Sequence, residues 1–332
     1  MREGEAGVAV RGLCLLSGGL DSILAVKVLQ EQEIKLAGVS FVTPFFGANH
    51  ARDAAKQLQI ELLVLDITEE HLKLVMNPSH GYGKNMNPCL DCHVLMIRKA
   101  GELLEKEGFD FLCTGEVLNE RPFSQNRRAL NEVADLSGYG DLLLRPLSAK
   151  LLPETLPERK GLVERRRLLD LSGRSRKRQF ALAEKYGVRS FPSPAGGCLL
   201  TDPAFSRRLK DALDAGESGV RDMKLLRWGR HFRSPTGQKV ILGRNELENT
   251  ALRGLFETGD LFVWDDEFPG PVALVPGGGT AKDLEFACGL CIAYGDAPEG
   301  RPARVVVEKD EGKSPVTVSP IPKEDVKKYH IK

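Results

Sequence analysis

No stretch of this chain approaches the roughly 18 consecutive apolar residues that a membrane-spanning helix needs, so no membrane partner is expected. Arg2, Glu3 and Glu5 interrupt the apolar core that a secretory signal would require. Charge of one sign is equally scarce. Forty-seven Lys and Arg stand against 46 Asp and Glu, a formal net charge of +1, which gives no global field for a polyanion. There is no internal repeat and no low-complexity segment. These absences leave a globular protein, expected in the cytoplasm. Its 332 residues, 42% of them apolar, can bury a large core and are expected to form two domains. Seven cysteines in such a compartment point to metal or sulfur chemistry rather than a disulfide framework.

The apolar run 12–16 breaks into Ser17-Gly18-Gly19-Leu20-Asp21-Ser22 and continues as an amphipathic stretch. Strand, glycine turn and helix in that order make a phosphate site. The glycines let the backbone approach an anion, the free N–H groups of the helix start hold it, and Ser17 and Ser22 add hydroxyl donors. A carboxylate at Asp21 suits a Mg²⁺ ligand or a cap on the helix rather than a phosphate contact. The turn has no lysine and does not fit the GxxxxGK[ST] pattern.

Strand and helix patterns alternate over 13–16, 21–32, 37–42, 48–58 and 62–67, then a helix over 90–107 and a strand over 109–113. This predicts an α/β fold with a doubly wound parallel sheet. Its ligands belong at the carboxyl ends of the strands. A domain over 1–205, a helical linker over 206–218 and a smaller α+β domain over 219–332 complete the expectation. The last has strands near 239–242, 260–264, 272–275 and 303–307 and a helix over 280–294.

Cys89 and Cys92 stand at a helix mouth in Asn87-Pro88-Cys89-Leu90-Asp91-Cys92, and Cys198 follows Gly196-Gly197. A helix N-terminus is expected to acidify the first two thiols. Three such cysteines suit three corners of an iron–sulfur cluster, a persulfide or redox pair, or a zinc site whose fourth ligand would be His93 or Cys113. Cys14, Cys113, Cys288 and Cys291 fall within strand and helix patterns and read as core filling. Between Arg165 and Arg178 seven basic residues face one acid, Asp170. That local run suits either a polyanion or a solvated face.

Ser17–Ser22 resembles the PP-loop of the ATP pyrophosphatases, the adenine nucleotide alpha hydrolase-like proteins. With Thr114-Gly115-Glu116-Val117-Leu118-Asn119, Ser124-Gln125 and Leu144-Arg145-Pro146-Leu147, the set resembles the catalytic domain of tRNA 4-thiouridine synthetases, and the cysteine pattern that of the iron–sulfur-dependent branch of tRNA thiolases, which also includes 2-thiouridine-forming enzymes. The resemblance covers about residues 8–205. It implies ATP with Mg²⁺ on Leu16, Ser17, Gly18, Gly19, Asp21, Ser22, Thr114, Gly115 and Gln125, catalysis by Asp21, Cys89, Cys92 and Cys198, and a cluster, [4Fe–4S], on the three cysteines.

Farther on, Gly243-Arg244-Asn245, Asn249, Asp260 to Trp264 and Pro269-Gly270 resemble the RNA-binding domain of NFACT proteins. The histidine step of that family is replaced here around Trp264-Asp265, and its tryptophan is shifted. Arg165, Arg166, Arg174, Arg176, Lys177, Arg244 and Asn245 are the expected tRNA contacts. The expected function is ATP-dependent tRNA uridine thiolation, 4-thiouridine ahead of 2-thiouridine, with sulfur from sulfide or a desulfurase-derived carrier. Rivals are a PP-loop sulfurtransferase or amidating enzyme on a small molecule, which would need no RNA module, and a non-catalytic RNA-binding factor, which would release no pyrophosphate. Oligomeric state is left open, a homodimer included.

Overall fold

The computed structural model describes residues 9–193, 198–298, 300–310 and 312–331. They form two compact units that divide between Thr201 and Asp202. Among the described residues no helix is long and apolar enough to cross a membrane.

The first unit runs β1 (Arg11–Leu15), α1 (Leu20–Gln30), β2 (Lys35–Val42), α2 (Asn49–Leu58), β3 (Glu61–Asp66), α3 (Thr68–Met76), α4 (Cys89–Glu107), β4 (Phe111–Cys113), α5 (Arg127–Ser137), β5 (Leu143–Leu144), α6 (Leu156–Arg159) and α7 (Lys177–Lys185). The five strands are parallel in the order β3-β2-β1-β4-β5. Residues of α1, α2 and α7 pack on one face and residues of α4 and α5 on the other. With both faces covered, the central strands are continuous apolar runs rather than alternating ones. Cys14 and Cys113 pair across β1 and β4, fully buried, as core filling requires. The chain leaves β1 toward β2 and later returns to its other side as β4. The switch point of this doubly wound sheet therefore lies where both turns, 17–19 and 114–115, emerge.

The second unit contains α8 (Pro203–Asp214), α9 (Val220–Leu225), β6 (Arg230–Arg233), β7 (Lys239–Leu242), α10 (Glu246–Arg253), β8 (Leu261–Asp265), β9 (Ala273–Val275), α11 (Ala281–Tyr294), β10 (Ala303–Lys309), β11 (Gly312–Val318) and α12 (Lys323–Val326). Its antiparallel sheet has the order β11-β10-β8-β9-β7-β6. α11 fills one face, with Cys288 and Cys291 at 0% exposure in that core. The stretch expected as a linker belongs here: Asp202 caps α8, and Arg233 of β6 grips Asp211 of α8 with two hydrogen bonds to its Oδ2, at 2.7 and 3.0 Å. Expected boundaries elsewhere shift by one or two residues. α3, α5, α6, α7, α9, α10, α12, β5, β6 and β11 are elements beyond those expected.

Candidate nucleotide and thiol site

The turn after β1 is built as a cradle. Gly18 has φ +81°, and a Cβ there would stand 2.3 Å from the His50 carbonyl, so only glycine fits. Gly115 is held just as tightly, because a Cβ would meet the backbone of Asp21 and Ser22 at 2.5 Å. The turn after β4 thus lies directly on the first turn of α1. That helix begins at Gly19 with no side-chain cap, which leaves its first N–H groups available to an anion. Leu16 is buried and bonds to β2 through its N–H. Ser22 Oγ donates to the Gly19 carbonyl at 2.8 Å and lies 3.3 Å from Ser17 Oγ. Thr114 and Gln125 are buried, and the Oε1 of Gln125 has no partner.

Asp21 caps nothing, which removes that alternative. Its Oδ2 accepts from Arg176 at 3.0 Å, while its Oδ1 is buried without a partner. Burial pushes this carboxyl up, with Arg176 and then Arg121 opposing. Glu120, which lies between the Thr114–Asn119 and Ser124-Gln125 elements and receives no role from the sequence alone, stands 3.5 Å from Arg176 and is pushed up by burial and by Asp21. Two carboxylates sharing one guanidinium, one with an orphaned oxygen, are a donor set that suits the divalent cation carried by ATP.

The three cysteines gather in the same unit. Cys89 opens α4, Cys92 lies in its first turn and Cys198 is half-buried. Their thiols are not acidified. Burial raises all three, Cys198 to about 11, and Cys89 and Cys198 each push Cys92 further up. Desolvation outweighs the helix N-terminus here, and at Cys89 it also outweighs the opposing charge of Arg121. Among the described residues no group of three or more His, Cys, Asp or Glu side chains is set to hold a single metal ion. The three thiols feel one another's charge, and soft donors of this type are the kind a sulfur cluster takes. Gly196 and Gly197, which precede Cys198, lie outside the described residues. Both expected fourth zinc ligands are engaged elsewhere, His93 with Glu116 at 3.1 Å and Cys113 in the strand core. The nitrogen that does meet a thiol is Nε2 of His71, 3.3 Å from Cys92 Sγ, on a ring packed against Phe45 and Phe46 and lowered by burial to about 4. A lone histidine in an amphipathic helix gave no signal of this.

Glu116 organises the rim. Burial alone would raise its carboxyl, but Arg145 and then His93 more than offset this and hold it far below the usual range. Arg145 Nε donates to it at 2.8 Å, and the Thr114 hydroxyl donates at 3.1 Å. Replacing Arg145 by alanine strands a buried carboxylate and is expected to cost about 3–5 kcal/mol. The midpoint of urea unfolding would fall accordingly, and an unchanged midpoint would refute this account.

The basic run is largely neutralised by acids, two of them local, Glu164 and Asp170, and two from outside the run, Glu158 and Asp21. Arg165 pairs with Glu158, Arg166 with Glu164, Arg178 with Asp170, and Arg176 with Asp21. Arg174 and Lys177 are exposed. In the second unit Arg244 is held by Glu248, and the Asn245 side chain caps α10.

A family model for the tRNA methyl transferase HUP domain matches residues 10–156. The first unit is similar to that domain over this stretch. A model for the NFACT protein RNA binding domain matches residues 229–330, within the second unit. The tRNA-specific 2-thiouridylase MnmA of Geotalea uraniireducens (strain Rf4) is 26% identical over 268 residues, which cover 70% of this chain and 67% of that protein. The protein of the same name from Pelobacter propionicus (strain DSM 2379 / NBRC 103807 / OttBd1) is 28% identical over 152 residues, 41% of this chain and 42% of that protein. The chain thus spans about two thirds of the first relative and two fifths of the second. Among solved structures, a 4-thiouridine synthetase–RNA complex with bound ATP is similar at 18% identity and a TM-score of 0.35, over 54% of this chain and 52% of that one. The HUP match contains the whole phosphate cradle, Glu116, Arg145, Cys89 and Cys92, and ends before Arg176 and Cys198.

Proposed function

We propose that this protein is an ATP-dependent tRNA sulfurtransferase that adenylates a uridine carbonyl and replaces its oxygen by sulfur. The observation that carries the reading is the 3.1 Å contact of His93, next to Cys92 in the first turns of α4, with Glu116, beside the Gly115 turn that packs on the backbone of Asp21 and Ser22. It ties the phosphate cradle and the sulfur donors to one rim. The names of the relatives, tRNA-specific 2-thiouridylases, support the same chemistry.

In this reading the N–H groups at the start of α1 and the hydroxyls of Ser17 and Ser22 hold the phosphates, and Asp21 and Glu120 hold Mg²⁺. The uridine carbonyl oxygen attacks the α-phosphorus, the bond to the bridging oxygen breaks, and pyrophosphate leaves. A sulfur nucleophile then attacks the activated carbon, and AMP departs with the bonding electrons. Neither step calls for a nucleophile–histidine–acid triad. The proposed holders of a [4Fe–4S] cluster are Cys89, Cys92 and Cys198, and such a cluster would supply an iron with an open position for a sulfur anion. A persulfide on Cys92 or Cys198 is the second route. The carbonyl expected from the sequence is C4, while the relatives' names favour C2 as the second reading. Tertiary contacts to tRNA fall to the second unit and to Arg174 and Lys177, with salt-dependent affinity.

Incubation with unmodified tRNA, ATP and sulfide under anaerobic conditions tests the whole reading. Chromatography with mass detection of the nucleosides should find 4-thiouridine or 2-thiouridine, with AMP and pyrophosphate formed in step. Pyrophosphate without any need for tRNA would point to a small-molecule substrate, and no pyrophosphate at all would leave a non-catalytic RNA-binding protein. Deletion of residues 202–332 is expected to weaken tRNA binding at least tenfold in a filter assay while ATP binding persists. Equal tRNA affinity after deletion would assign the second unit another role.

A further inference from the structure

The sheet of the second unit is covered unevenly. One face is closed along its length by α11 and the chain end, through Phe232, Val240, Leu242, Val263, Val275, Val305 and Val307. On the other face Leu225 of α9 and Leu252 of α10 pack onto Ile241, Leu274 and Phe262, and so cover β7, β9 and the start of β8. Beyond them that face is open. Pairing across β8, β10 and β11 aligns Trp264 with Val306 and Val306 with Pro315, an apolar row about 10 Å across. On either side of the row stand the pairs Glu308 with Lys313 and Arg304 with Thr317. Pro315, Arg304 and Lys313 are exposed, and Trp264 and Val306 are half-buried.

Charge on this face is arranged around the ring. The Arg253 guanidinium lies 3.9 Å from the centre of the Phe262 ring and 5.1 Å from that of Trp264, and the Lys313 ammonium lies 5.4 Å from Trp264. Glu308 accepts from Arg253 and sits 3.8 Å from Lys313, so one acid anchors two cations. Arg304 stands on the far side of the apolar row, and Asp266 is an exposed acid beyond Trp264. The face therefore pairs a stacking surface with a net positive border. The Gly243–Asn245 turn likewise pairs Arg244 with Glu248 and commits Asn245 to capping α10, whereas Arg304 on the open face is exposed.

We infer that this open half-sheet around Trp264, Val306 and Pro315 seats unpaired RNA nucleotides, with bases on the apolar row and phosphates on Arg253, Arg304 and Lys313. The inference rests on the RNA-binding reading of the second unit and deepens it by naming the face and the strandedness of the ligand. A flat sheet with an aromatic platform suits splayed bases, whereas an A-form duplex offers no unstacked base to receive. Pro315 lies on the sheet's edge strand, where it costs no interior ladder bond. The border leaves that side open to a strand running across the sheet.

The test uses the full chain and measures binding of unmodified tRNA, a single-stranded oligouridylate and a duplex of equal length at several salt concentrations. Arg304→Glu with Lys313→Glu should weaken oligouridylate binding more than tenfold and lower the salt slope by about two, one for each phosphate deprived of its cation. Trp264→Leu should weaken it about tenfold, while Trp264→Phe retains most of the affinity. Lys282→Glu, a charge reversal half as large on α11 at the opposite face, should leave binding unchanged and controls for charge placed outside the open half-sheet. Wild-type binding that survives Arg304→Glu with Lys313→Glu as well as it survives Lys282→Glu overturns the face alone. A duplex that binds as tightly as the single strand overturns the unpaired ligand. A wild-type chain that binds no RNA overturns the RNA-binding reading beneath both.

Discussion

Asp21→Ala is expected to reduce ATP-dependent pyrophosphate release at least a hundredfold, the scale seen when a preorganised charge at a reacting group is removed, while the protein stays folded. The side chain sits at the start of α1, 22% exposed, and its one hydrogen-bonded side-chain partner is Arg176. Removing it creates no cavity in the core, and Arg176 keeps Glu120 beside it. What disappears is the orphaned Oδ1, the atom placed to meet a cation. Ser17→Ala should act in the same direction and more weakly, because helix N–H groups remain to hold the phosphate. Far-ultraviolet dichroism and a pyrophosphate-coupled assay together check the expectation. A variant that turns over ATP at the wild-type rate would remove Asp21, and the cradle with it, from the chemistry.

The second large effect concerns sulfur. Alanine at Cys89, Cys92 or Cys198 should each abolish thiouridine formation while tRNA-dependent pyrophosphate release continues, because the phosphate cradle is made of other residues. Anaerobically prepared protein is expected to be brown and to hold about four irons per chain, as a cubane cluster requires, and each alanine variant should lose both. Cys288→Ala and Cys291→Ala should spare colour and activity, since these thiols fill the core under α11 in the second unit. Iron-free protein that thiolates tRNA at full rate would move the sulfur to a persulfide on Cys92 or Cys198. Full thiolation by all three single variants would take the cysteines out of the reaction altogether.

The elements that the sequence determined are those whose physics is local. A glycine turn between an apolar run and a helix specifies the phosphate cradle, because the need for φ > 0 at Gly18 and for bare backbone at Gly115 is written in residue type. The parallel sheet was legible for a similar reason: strands buried on both faces are continuous apolar runs, and helices alternate between them. Cys89 and Cys92, one helical turn apart, declared themselves by spacing.

Only tertiary structure could decide how charge is distributed. The run from Arg165 to Arg178 reads as a cationic patch, yet Glu158, Glu164, Asp170 and Asp21 neutralise much of it, and Asp21 lies 155 residues away from its partner Arg176. Glu120, His71 and the Glu116–Arg145 pair acquire their roles in the same way, through contacts that no spacing encodes. The thiols show the contest most plainly. Their place at a helix mouth predicts acidity, but the fold buries them, and removing a thiolate from water costs more than the helix terminus returns. Residue order thus determined the glycine turn and the cysteine spacing, and the packed structure determined which charges remain free, because desolvation and ion pairing depend on neighbours brought together only by folding.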